Sequence, residues 1–377
     1  MEIKRAYKFR LYPTPEQEQS LAQTFGCARF AYNYMLRQRT DAWFNRQEKV
    51  GYHETSAMLT ELKKQSEFIW LNEVSSVPVQ QSLRHLQTAF ANFFARRTKY
   101  PTFKKKDGAQ SAEYTTSAFK WDGKNLHIAK MDEPLNVRFS RTIPKAAKVT
   151  TVTISKDTSD RYFVSMLCTD EVQPKEQVSA KVGIDLGLTH FAILSTGEKI
   201  SAPNMFRKNE KKLAKLQRRL SKKTPGSNLR KKAKLKVAKL HAKIADSRKD
   251  FLHKLSTRLV NENQVLAIET LAVSNMQKNR CLAKSISDAG WSEFVRQLEY
   301  KSLWYRRTLV GIDRWYPSSK RCSECGHTVA KMPLKVREWV CPECGAIHDR
   351  DINAAHNILT AGLAGLANGE SVSPVCI

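Results

Sequence analysis

Two C-x-x-C knuckles, CSEC at 322–325 and CPEC at 341–344, constrain the fold of this chain most tightly, and each is followed by a glycine. Two residues between thiolates let both sulfurs reach one ion from a tight turn, and the glycine tolerates the backbone that the turn needs. The spacer is long enough for a hairpin, which VREWV at 336–340 suggests. The pattern predicts a structural, tetrahedral four-cysteine zinc ribbon held by Cys322, Cys325, Cys341 and Cys344. Four thiolates fill the coordination shell, so His327 and His348 are expected at the surface. Cys27 and Cys168 lie in apolar patterns and read as small core residues, while Cys281 and Cys376 stand alone. Eight cysteines in 377 residues, behind a charged N-terminus with no apolar signal core, argue against a disulfide framework and for a reducing cytoplasm.

Charge narrows the partner. The chain carries 64 Lys and Arg against 36 Asp and Glu, a net +28. A balance that basic points to a polyanion. No stretch is apolar enough to span a bilayer, and the basic helices lack the Trp and Phe face of a membrane-surface helix. Nucleic acid is the expected partner. The charge concentrates at 206–250, which holds 18 basic and 3 acidic residues. There Leu213, Leu216 and Leu220 share one helical face, Val237, Leu240 and Ile244 share another, and TPGSN at 224–228 separates them. This predicts a basic helical hairpin, with Lys211, Lys212, Arg218, Arg219, Lys231 and Lys232 as candidate phosphate contacts.

The remaining pieces alternate in type. Residues 2–12 alternate like a strand, and a long helix then begins near Pro15. Helices are expected near 54–66 and 79–98, and strands at NLHIA, LNVRF, KVTTVTISK and RYFVSMLC. Residues 171–180 read as a polar linker, and a second domain opens at Lys181. Its first strand carries Asp185, and QVLAIET ends a strand at Glu269. DFLHKLSTRLVNEN is a further long helix, and another amphipathic helix is expected to start at Ser287 or Asp288. Asp351 falls in the first turn of DINAAHNIL, where it could simply match the helix dipole, with Asp349 as the cap.

An acid inside a buried strand is costly unless it is paired or metal-bound. Strand acid, strand acid and helix acid is the arrangement that gathers two divalent ions in an RNase H-like fold. Hard oxygen ligands suit Mg²⁺ or Mn²⁺. One ion lowers the pKa of a water and aims it at a phosphodiester, and the other stabilises the leaving oxygen. Asp349 is the alternative third ligand, but its place before the helix makes it the better cap.

GIDLG, HAKIADSRKDFLHKLS, IET, KNRCLAKSISDAGW, the paired knuckles, HDRDINAAHNIL, RLYPTPEQ and GCARFAYNYML together resemble the TnpB family of transposon-encoded, RNA-guided nucleases. The resemblance covers about residues 1–360. It implies an α+β multidomain protein. A β-barrel-like wedge domain (1–12 and 100–172) would carry an inserted helical recognition bundle (13–99). A RuvC-like, RNase H-like α/β nuclease domain (181–377) would follow, holding the basic hairpin and a zinc ribbon at 318–348. It implies Asp185, Glu269 and Asp351 as the catalytic, Mg²⁺-binding acids, a guide RNA from the transposon end, and a double-stranded DNA target. It also places the reading of a short flanking motif in the N-terminal region. There Gln80, Gln81 and Arg84 open one helix, and Tyr52 and Ser56 open its neighbour. Glutamine offers a donor and an acceptor that suit the edge of adenine. Asp246 and IET depart slightly from the family pattern without touching the triad. The tail from 361 is expected to be disordered. A monomer on its RNA in a bacterial or archaeal cytoplasm, with no membrane partner, is expected. A nuclease-inactive RNA-guided repressor and a plain zinc-ribbon nucleic-acid-binding protein are the alternatives, and loss of a triad acid would mark the first.

Overall fold

The computed structural model describes residues 2–333 and 335–368. They divide into one unit at Glu2–Glu171 and a second that begins at Val172. In the first unit, strand β1 (Glu2–Leu11) alternates exposed and buried residues, with Tyr7, Phe9 and Leu11 turned inward. It pairs antiparallel along its whole length with β7 (Tyr162–Glu171), so the two ends of the unit close on each other. With β2 (Gln110–Thr115), β5 (Val137–Arg138) and β6 (Lys148–Lys156) they form a sheet of order β2-β6-β7-β1-β5. No pairing among the described residues joins β2 to β5, so this sheet is open. Strands β3 (Phe119–Trp121) and β4 (Leu126–Ile128) make a separate hairpin.

Helix α1 (Pro15–Arg46) starts with a capping box in which Thr14 and Gln17 each bond the other's backbone amide. Helices α2 (Tyr52–Leu62) and α3 (Ser76–Phe94) pack on it through Met35, Leu36, Leu59, Leu83 and Leu86. Helix α3 begins at Ser76, ahead of the expected start near 79, so Pro78 lies inside its first turn.

The second unit is built on one mixed sheet. Strands β8 (Lys181–Leu186), β9 (His190–Leu194) and β10 (Lys199–Ser201) form an antiparallel meander. Strands β11 (Val265–Glu269) and β12 (Thr308–Ile312) add in parallel, giving the order β10-β9-β8-β11-β12. The polar segment ahead of β8 is pinned down: the Gln264 amide donates to the Ala180 carbonyl at 2.8 Å, and Lys175 bonds Asn261. Helix α4 (Met205–Ser221) folds back on α5 (Asn228–Glu262) around Leu213, Leu240 and Ile244, the two apolar faces the spacing predicts. The second arm of the hairpin and the following helix, expected as separate elements, are one 35-residue α5. Every residue between 245 and 251 is helix-compatible, so nothing stops propagation.

Asp288 corrects a second expectation. It starts no helix of its own: α7 (Ala283–Ala289) ends at Gly290, in left-handed geometry at φ +72°, and α8 (Trp291–Tyr305) follows directly. Buried Asp288 instead accepts from the Phe206 and Arg207 amides at 2.9 to 3.3 Å and caps α4, whose own Asn204 makes no side-chain cap. The short α6 (Val273–Met276) precedes α7.

Sheet polarity positions everything that follows. Val182, Ile184, Leu266 and Ile268 point to one face, under Leu252, Leu259, Phe294 and Leu298 of α5 and α8. The alternate residues, Gly183, Asp185, Ala267 and Glu269, therefore face the other side. That side is covered by α9 (Arg350–Ala367), which runs on through residues 361–367, in place of the disordered tail expected from 361; the remainder of that tail lies outside the described residues. A Cβ on Gly183 would collide with the Ala355 carbonyl oxygen, and one on Gly362 would come within 2.7 Å of the Ala267 Cβ. The helix thus lies on bare backbone.

Gly183→Ala should lower unfolding stability by at least about 2 kcal/mol through overpacking. Gly26, inside α1, gives the contrast, because a Cβ added there would meet nothing within 4 Å. Gly26→Ala should gain about 0.5–1 kcal/mol. Thermal and urea unfolding of the two variants checks both signs.

Candidate metal centres

Parallel pairing aligns Ile184 with Ile268, so the next residues along, Asp185 and Glu269, sit side by side on neighbouring strands. Their carboxyls hydrogen-bond. Burial, then the charges of Glu269 and Asp351, push Asp185 well above the ordinary carboxylate range. Burial also raises Glu269, against hydrogen bonds from Ser318 and Asp185. Both side chains keep some exposure to water while protein surrounds them on most sides. The pair is poorly solvated without being sealed off. Two touching carboxyls cannot both ionise there without a compensating cation. Ser318 donates to Glu269 Oε1 at 3.0 Å and fixes one of its oxygens.

Asp351 enters from the first turn of α9, and its charge is felt at Asp185. It faces Arg337 at 3.4 Å and is 23% exposed. Asp349 is the N-cap, its Oδ1 accepting from the Asp351 and Ile352 amides at 3.0 Å each, while its other oxygen pairs with Lys199. Against the effect of burial, Lys199 and these amides hold the Asp349 carboxyl below its ordinary range. Its oxygens are engaged, as a cap's should be. Asp185, Glu269 and Asp351 offer only hard oxygen donors, and the strand pair is held from full ionisation by burial and by its acidic neighbours, a donor set that fits Mg²⁺ or Mn²⁺.

The thiols form the tighter cluster. All four sulfurs of Cys322, Cys325, Cys341 and Cys344 lie within 4.8 Å of one another, the only such group among the described residues. Cys322 and Cys344 are 3.7 Å apart, and Cys325 and Cys341 are 3.6 Å apart. A tetrahedron with Zn–S bonds of about 2.3 Å has edges of about 3.8 Å, so the set fits zinc. The expected hairpin is not inside the spacer: β13 (Glu338–Val340) and β14 (Ile347–Asp349) flank the second knuckle. His348 is not a surface residue either. It is buried beside Trp339, with Nε2 3.0 Å from the Cys322 sulfur, within hydrogen-bonding distance. Cys27 and Cys168 are buried, as their apolar settings suggest.

Most of the nucleic-acid candidates lie on exposed surface. Lys211, Lys212, Arg218, Arg219, Lys231 and Lys232 are all exposed along α4 and α5. Gln80 and Arg84 are exposed one turn apart on α3, and Gln81 is half-buried. The Arg84 guanidinium lies 4.9 Å from the Tyr52 ring centroid, bringing α2 and α3 together at this face. Ser56 is half-buried, and its carbonyl accepts from Thr60.

Residues 157–280 match a family model described as "Probable transposase", residues 291–358 a "Cas12f1-like, TNB domain", and residues 1–48 a "Helix-turn-helix domain". The last description does not fit this chain, where those residues form one strand and one unbroken helix. A Streptomyces pristinaespiralis protein named "Putative RNA-guided DNA endonuclease" is 56% identical over 99% of this chain and 93% of its own length. The chain belongs to the TnpB family. An Escherichia coli K12 relative, "Putative RNA-guided DNA endonuclease InsQ", is 35% identical over 98% of this chain and 94% of its own. The solved structure of a Cas12f1-sgRNA-target DNA complex aligns with a TM-score of 0.58 at 14% identity, covering 95% of this chain and 98% of that one. That likeness extends the TnpB chain's α+β fold to Cas12f, with the four-cysteine cluster in the matching TNB segment.

Several residues of the site carry no obvious mark in the sequence. Ser318 sits in a serine pair, and only its pairing with Glu269 singles it out. Asn353 and Asn357 are buried and staple α9 to the ribbon base, bonding the Arg321 carbonyl at 2.7 and 2.6 Å and the Ser318 carbonyl at 2.8 Å. Their spacing of one helical turn on an otherwise apolar face is the signal a sequence offers for them.

Metal analysis of the purified protein should find one zinc per chain, and Cys341→Ser should lose it and lower the melting temperature of the second unit. With no added divalent ion, the Asp185–Glu269 pair should contribute a stability that falls as pH rises above about 4, because the native pair still holds a proton that the unfolded chain has released. Asp185→Asn should flatten that slope and raise the melting temperature near neutral pH, which thermal scans across pH would reveal.

Proposed function

We propose that this chain is an RNA-guided DNA endonuclease in which Asp185, Glu269 and Asp351 hold two Mg²⁺ or Mn²⁺ ions. The observation that carries the reading is the convergence of those three acids on one side of a sheet, two from neighbouring parallel strands and one from the covering helix. The strand order β10-β9-β8-β11-β12, with β9 alone reversed, supports an RNase H-like, RuvC-type domain. When bound, the ions supply a more acidic water and charge stabilisation for the leaving oxygen of a phosphodiester. The chain's own groups do the positioning: Ser318 holds a Glu269 oxygen, and the Asp349 cap fixes the turn that presents Asp351.

Guide RNA and double-stranded DNA target are proposed as partners on the names of the relatives and the charge of +28. In this reading the base pairing of the guide supplies specificity and the protein reads a short flanking motif. Residues 1–12 and 100–172 form the wedge domain and 13–99 its recognition helices. Tyr52, Ser56, Gln80, Gln81 and Arg84 read the motif, and the cations of α4 and α5 grip RNA phosphates. Zinc in the ribbon at 318–348 is structural, since four thiolates leave no open position.

The test has two stages. A discrete RNA should co-purify with the protein, and with Mg²⁺ the complex should cut DNA that matches that RNA. Asp185→Ala, Glu269→Ala and Asp351→Ala should each reduce cutting at least about a thousandfold while the RNA still co-purifies. Normal cutting by Asp351→Ala would remove it from the ligand set.

A further inference from the structure

The turn that follows β12 holds a residue for which the proposed chemistry has no use. Trp315 is 84% exposed, the most exposed of the large apolar side chains described. A tryptophan that exposed is unusual. The backbone beneath it is well tied. The Trp315 amide donates to Asp313 Oδ1 at 2.7 Å, and the Tyr316 amide donates to the Asp313 carbonyl at 3.2 Å. Tyr316 packs with Ile312 and Ile358. The Ser318 carbonyl accepts from Asn357 at 2.8 Å. The indole is therefore presented on a fixed support.

Its place is equally defined. Three residues earlier, Ile312 is the β-ladder partner of Glu269, and three residues later Ser318 bonds the Glu269 carboxylate. Three residues reach at most about 11 Å, so the Trp315 backbone stays within that distance of both anchors. Its neighbours Arg314, Lys320 and Arg321 are cationic, and the local acid Asp313 is engaged in the turn.

We propose that Trp315 is a stacking platform for an unpaired nucleobase of the DNA strand being delivered to Asp185, Glu269 and Asp351; the proposal rests on the nuclease reading above. A base in a duplex has both faces covered, whereas an unpaired base offers a free π-face, and indole takes any base through it. The flanking cations suit the phosphates on either side. Trp315 is thus a positioning residue: it sets where along a single strand the carboxylates act, with little preference for sequence.

The complex of the full chain with its co-purified RNA, irradiated with a single-stranded oligodeoxynucleotide containing 5-iodouracil, should give a cross-link that peptide mass spectrometry places at Trp315. This readout needs no cleavage. In parallel, Trp315→Ala should raise KM for single-stranded DNA cutting about tenfold with kcat little changed, and Trp315→Phe should stay within about threefold of the parent. Zinc content and melting temperature should not move in either variant. Cross-links that avoid Trp315, or an unchanged KM in Trp315→Ala, overturn the proposal. A cross-link at Trp315 in a protein that cuts no DNA upholds the platform and overturns the nuclease reading instead.

Discussion

Helix α9 rests on the sheet more closely than side chains would permit, because Gly183 and Gly362 remove the two atoms that would stand between them. The rest of the second unit depends on that approach. Asp185 lies two residues beyond Gly183 on the same face of β8, and Asp351 lies one turn before Ala355, which Gly183 touches. Contact at one point thus sets the spacing at the other. A helix held a few ångströms farther out would leave the third acid remote from the strand pair, and Asp185, raised first by burial and then by Glu269, would lose the smaller push that Asp351 adds.

The same face explains how a sheet can carry acids at all. Its reverse side is a continuous apolar layer of Leu252, Leu259, Phe294, Leu298 and their neighbours, which supplies the burial that stabilises the unit. The α9 side is thin, with small residues at Gly183, Ala267, Ala355 and Gly362 and a short apolar cluster toward the far end of the helix. Stability and chemistry are divided between the two sides of one sheet. The residues at the acid end are correspondingly polar and locally tied: Ser318, Asn353 and Asn357 are each held by a hydrogen bond to a named partner.

Much of this is legible in the sequence, for reasons of period and spacing. The strands carrying Asp185 and Glu269, the apolar stripes of α4 and α5, and the four thiols all follow short-range rules that a linear reading can apply. What escapes such a reading is mostly long-range. Asp288 has the look of a cap for the helix beside it, yet it caps α4, some eighty residues earlier, because folding brings those amides to it. His348 looks redundant beside a filled shell, yet folding buries it between Trp339 and the Cys322 sulfur. The junction inside α5 is hidden for the opposite reason. A change of amphipathic face suggests a boundary, though a helix can turn one face to α4 and another to the sheet without breaking. Gly183 and Asn357 take their meaning only from what lies across from them.

Asp349 ends strand β14 of the ribbon and caps α9, and Arg350 is already helical. The two elements are spliced without slack. Each residue of a helix turns it by about 100°, so a single residue gained or lost at this junction would carry Asp351 a quarter-turn or more around the axis, away from the strand acids, even with every thiol still in place. Inside the ribbon, the spacer between its knuckles reaches Asp351 through Arg337. At its exit the chain keeps time like a gear, and the phase of one tooth decides whether the third carboxylate arrives.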